Sequence, residues 1–100
     1  MLGMFENYNN PNSMGANDSK DFVTLQQARK DLIGEIDAII QYDDHLHNTN
    51  NQLARETWRN IMSEEMVHVG ALLALINYLD PSQLKHVQDG IKEFEERKNR

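Results

Sequence analysis

Three side chains stand where the surrounding pattern asks for Leu or Ile. Glu35 opens EIDAIIQYDDH (residues 35–45), and Glu65 and His68 fall within SEEMVHVG (residues 63–70). A polar group on an apolar stripe is costly unless something compensates it. Two carboxylates and an imidazole are a set of metal ligands, so the compensating partner is a cation if the three meet at one point. Whether they meet depends on the elements that carry them.

Thr24-Leu25-Gln26-Gln27 fits a helix-capping box, with Ser19 or Asp21 as earlier starts. From there Leu25, Ala28, Leu32, Glu35, Ile39, Tyr42 and Leu46 recur at alternating steps of three and four, which puts all seven on one helical face. HNTNNQ (residues 47–52) interrupts the pattern with residues that favour turns and caps, so a short link joins two antiparallel helices there. The second helix carries Ala54, Trp58, Ile61, Glu65, His68, Leu72, Leu75 and Leu79 at the same spacing. It stops at Asp80-Pro81, where Asp80 caps a third helix, Pro81 takes its first position and Gln83 completes a box. Leu84, Val87, Ile91 and Phe94 form a third stripe, and the terminal EERKNR is expected to fray. Residues 1–20 mix Asn, Gly, Ser and Pro without a period and read as a flexible arm, in which Met4, Phe5 and Tyr8 are available to a partner; residues 21–100 form the helical domain.

Composition removes whole classes of function. Sixteen acids against ten bases give a formal charge of −6, unsuited to nucleic acid or an anionic membrane. With no cysteine there is no disulfide, thiolate zinc site, iron–sulfur cluster or thiol catalysis. No apolar run approaches the roughly 20 residues a bilayer requires, so the expectation is a cytoplasmic protein. One hundred residues bury a modest share of their surface, which favours an oligomer.

Glu35 lies fifteen residues before Asn50 and Glu65 fifteen after it, so both sit at one level of the hairpin, with His68 one turn from Glu65. Carboxylate oxygens with some imidazole suit iron, and a bridging carboxylate holds two ions close together. Ferritin-like di-iron bundles use one Glu from each of two helices and a Glu-x-x-His from each of the other two. This chain supplies one of each, half the set. A twofold axis through the site supplies the rest and makes a four-helix bundle with four Glu and two His.

These residues resemble the encapsulated ferritins, half-length ferritin-like proteins whose ferroxidase centre forms between two subunits. The resemblance covers roughly residues 28–80. It is carried by Glu35 with Tyr-Asp seven and eight positions later, and by Glu-Glu-x-x-His before the Ala-Leu-Leu run in SEEMVHVGALLALINYLDP (residues 63–81). It implies that Glu35, Glu65 and His68 bind iron, that Tyr42 neighbours the ligands and that Asp37 attracts incoming iron. A ring of dimers and an encapsulin shell are implied as well. The chain departs from the family pattern at Gly34, usually an acid, and at Gln41, usually aromatic, and the shell-targeting tail rich in Gly, Ser and Leu is not visible in EFEERKNR.

The expectation is therefore an all-α protein: an antiparallel two-helix hairpin plus a short third helix, dimerising into a ferritin-like four-helix bundle that oxidises iron(II) for storage. Two readings compete with it. One is a rubrerythrin-like protein that reduces peroxide or oxygen, or holds manganese; the other is a non-enzymatic helical coat or scaffold module in which the three polar residues pair only with each other. Tyr42 serves equally as core or as neighbour of the ligands. His45, His47 and His86 read as surface residues, Glu64 as a solvated acid, Met62 and Met66 as core filler, and Trp58 as a core or interface anchor.

Overall fold

The computed structural model describes residues 19–100, with Ser19 and Lys20 described by their backbone alone. Three helices make up this part: α1 (Ser19–His47), α2 (Gln52–Leu79) and α3 (Pro81–Lys98), and no strand occurs among the described residues. The expected arm falls outside the described residues, together with Met4, Phe5 and Tyr8, except that Ser19 and Lys20 are already helical. Thr24 is thus inside α1 and not its cap.

The expected all-α hairpin is present: α1 and α2 pack along each other through a four-residue link, residues 48–51. Asn51 caps α2, its Oδ1 accepting from the Ala54 backbone N–H at 3.0 Å. Arg55 closes the other side of the link. Its Nη1 donates to the carbonyl of Leu46 and, at 3.3 Å, to that of Thr49, satisfying groups that the end of α1 leaves unpaired.

All seven residues of the α1 stripe are buried or half-buried, so the register there follows the spacing. On α2 it does so only in part. Ile76, absent from the expected stripe, is fully buried, and Val69 and Met62 are half-buried, while Leu75 and His68 are exposed. Two columns of α2 compete, 61/68/75 (Ile, His, Leu) and 62/69/76 (Met, Val, Ile), and they share 58, 65, 72 and 79 between them. At the two positions where they differ most in burial, the second faces α1 and the first looks outward.

The buried core is small: Leu25, Ala28 and Ile76 cluster near the α2–α3 junction, with Leu32 and Leu79 packed against them. Arg29 fastens α3 to this end. Its Nη2 donates to Asp80 Oδ2 at 3.2 Å and to Gln83 Oε1 at 2.7 Å, and Nη1 donates to Gln26 Oε1 at 2.8 Å. The capping box expected at Asp80 and Gln83 is not formed; Arg29 takes both side chains, and Asp80 Oδ1 accepts from Ser82 Oγ. α3 continues as helix to Lys98, which pairs with Glu95 at 2.8 Å, where fraying was expected.

Much apolar surface is left uncovered. Ile33, Ile36 and Ile40 on one flank of α1, Met66 and Leu73 on α2, and Val87, Ile91 and Phe94 on α3 are all exposed. The radius of gyration of 17.9 Å exceeds the about 13 Å of a compact chain of this length. Uncovered apolar surface on this scale marks a surface that meets another molecule.

Candidate metal centre

Midway along the hairpin the two helices present Glu35 from α1 and Glu65 and His68 from α2 to one point. One ligand atom from each of the three lies within 4.8 Å of the other two. His68 Nδ1 stands 3.4 Å from Glu35 Oε1 and 3.7 Å from Glu65 Oε2. Glu35 and Glu65 are three-quarters or more covered, at 24% and 19% side-chain exposure, whereas His68 is 54% exposed. The hairpin geometry expected from equal distances to the turn is therefore present, but His68 stands at the rim of the site and not inside the hairpin.

The spacing distinguishes two uses of these residues. A direct charge-assisted hydrogen bond runs about 2.7–2.9 Å. Both imidazole–carboxylate distances exceed that but fall within ion-pair range, so the three groups are close neighbours without a direct hydrogen bond. Ligands bound about 2.1 Å from one ion stand roughly 3–4 Å apart, close to what is seen here. Charge points the same way. One imidazole, even protonated, balances one carboxylate, so within the three groups the second carboxylate has no counter-charge.

The site opens into a groove of ≈490 Å³ lined by Lys30, Asp31, Gly34 and Glu35 from α1 and by His68, Ala71 and Leu72 from α2. Gly34 faces open space: a Cβ placed there would meet nothing within 4 Å. Asp37, named by the resemblance as the attractor of iron, is exposed and does not line this groove. Asp31, one turn before Glu35, does. Sequence reasoning missed Asp31; its i, i+4 relation to Glu35 is the signal that could have found it.

Near the link, Tyr42 is half-buried and packs edge-on to His45, with ring centroids 6.0 Å apart, while His45 tilts against Trp58 at 4.7 Å. His45 is therefore not a surface residue: its ring is half-buried between two aromatic residues, and its Nδ1 is buried without a partner. Trp58 anchors this contact. His47 and His86 are exposed, as is Glu64. His47 Nδ1 lies 2.8 Å from the Asp43 carbonyl. Of the two methionines, Met62 is half-buried and Met66 is exposed.

No family model matches the chain, and no solved structure matches it. Two curated relatives do. The encapsulin nanocompartment cargo protein EncC of Myxococcus xanthus is 30% identical over 74 residues, covering 74% of this chain and 57% of that protein. A ferritin-like-encapsulin shell fusion protein of Pyrococcus furiosus is 32% identical over 72 residues, covering 72% of this chain and 21% of the fusion. The chain thus spans little more than half of the first relative and about a fifth of the second. No described helix is long and apolar enough to cross a membrane.

Proposed function

We propose that the chain is a half-length ferritin-like ferroxidase, working as a homodimer with the grooves of two copies face to face across a twofold axis. Glu35, Glu65 and His68 of each copy then make a shared set of four carboxylates and two imidazoles for two ferrous ions, which are the substrate. The resemblance to the encapsulated ferritins makes Glu65 the carboxylate that would be shared between the two ions. Each ferrous pair would give two electrons to one oxygen molecule, which takes two protons from water and leaves as hydrogen peroxide; the carboxylates would stabilise the ferric charge until the iron moves on to storage.

The observation that carries this reading is the approach of three ligand atoms to within 4.8 Å of one another beside a groove that Glu35 and His68 line. The exposed apolar flanks of α1 and α3 support further association of dimers into a ring. The names of the two relatives support an encapsulin shell as the partner, with the protein inside a cytoplasmic nanocompartment.

Anaerobic titration with ferrous iron followed by air tests the centre. The expected result is ferric absorbance that saturates near one iron per chain, on a species whose native mass is an even multiple of the chain mass. A monomer that binds no metal sinks the proposal. Peroxide consumption faster than iron oxidation would replace it with the peroxide-reducing reading.

A further inference from the structure

We infer that α3 of one copy lies along α1 of another, its apolar stripe on the Ile33, Ile36 and Ile40 flank and its basic end against Asp43 and Asp44. This rests on the homodimer reading given above and names the two surfaces that join one dimer to the next. From Lys85 to Arg100 every residue is exposed, Val87, Ile91 and Phe94 included. An isolated helix of this length is marginal in water, and Gly90 in its middle costs about 1 kcal/mol relative to Ala. A regular apolar stripe on such a helix calls for a covering surface that its own chain does not supply. Arg29 ties the first turn of α3 in place through Asp80 and Gln83, and with α3 so held the isoleucine flank of the same chain stays bare. The occupant of that flank is therefore another copy.

A dimer with its grooves face to face leaves the flank uncovered. At roughly 100° per residue, Ile33, Ile36 and Ile40 centre about 100° round α1 from its buried stripe, and Asp31 and Gly34 of the groove lie about as far round in the opposite sense. Exposed Met66 and Leu73, on the side of α2 away from His68 and Ala71, widen the same apolar face. The two stripes match in length. Val87 to Phe94 and Ile33 to Ile40 each advance seven residues, about 10.5 Å, so Val87 falls on Ile33 and Phe94 on Ile40 when the helices run the same way. Charge selects that direction. In it Arg97 and Lys98 come to Asp43 and Asp44; reversed, they would come to Arg29 and Lys30. The pairs these ends make at home, Asp43 with His47 and Lys98 with Glu95, are solvent-exposed and cost little to exchange.

The chain has no cysteine, which makes disulfide trapping a clean test. Ile40→Cys and Phe94→Cys, carried on two differently tagged chains expressed together and mildly oxidised, are expected to give a disulfide that joins the two tags, with neither variant linking to its own kind. Arg97→Glu with Lys98→Glu should bring the native mass down to that of the dimer, and adding Asp43→Lys with Asp44→Lys should restore it. A disulfide within one chain when both substitutions sit on it, a Phe94→Cys chain that links to its own kind, no bond between the tags, or a native mass indifferent to the charge reversal overturns the inference. A parent that is a dimer and nothing larger overturns it too and leaves the proposed dimer standing. A monomeric parent removes both, which separates the two failures.

Discussion

The hairpin has two regions built on the same spacing with opposite outcomes. Near α3, Leu25 and Ala28 of α1 meet Ile76 of α2, which has no exposed surface, and the helices close on one another. About two turns further along α1 the same face presents Glu35 to Glu65 and His68, and there the pair stays open as a groove. Periodicity brings faces together in both places. Residue chemistry then decides whether the meeting point becomes dry packing or an open, polar groove.

The largest effect that would sharpen this contrast falls on the open region. Glu65→Ala is expected to lower the rate of iron oxidation at least about a thousandfold, or about 4 kcal/mol of barrier, with the helical circular-dichroism signal intact. A rate equal to the parent's would remove Glu65 from the centre. The closed region should respond in stability and not in rate: Ile76→Ala should cost about 3 kcal/mol in urea unfolding, since the side chain it truncates is fully buried. A loss below about 1 kcal/mol would show that this cluster is not the core.

Making the open region resemble the closed one should invert the sign. Glu35→Leu combined with Glu65→Leu should stabilise the metal-free protein by about 1–4 kcal/mol, because facing carboxylates are exchanged for packed methyls, while iron oxidation disappears. A double variant less stable than the parent would mean that the carboxylates already pay their way in the apo state. The smallest expected effect is at the clasp of α3. Arg29→Ala should cost about 1 kcal/mol, discounted because the guanidinium is partly exposed, and should leave oxidation by the dimer unchanged.

The α1 register, the break before Gln52, the restart at Pro81 and the convergence of Glu35 with Glu65 were legible in the sequence, because each follows from helical period and cap chemistry. What was hidden has specific causes. Leu75 and Ile76 belong to two adjacent columns of α2, Ile61–His68–Leu75 and Met62–Val69–Ile76; the second is wholly apolar, and the spacing that picked out the ligand-type His68 selected the first. The same ambiguity concealed the outward turn of His68. His45 was masked by its polar neighbours Asp43, Asp44 and His47, although Tyr42 three residues earlier marked a face that Trp58 could meet across the hairpin. Arg29 was unreadable as a clasp because Asp80 and Gln83, 51 and 54 residues away, come to it through the fold alone.

The four-residue link, tied at one end by Asn51 and at the other by Arg55, works as a gauge. Adding a single residue there slides one helix by about 1.5 Å and rolls it by about 100° against the other, enough to aim a ligand at solvent and bring an isoleucine in its place. Length variation at this corner should therefore be among the least tolerated changes in the chain, even though the corner lies some fifteen residues from Glu35 and Glu65.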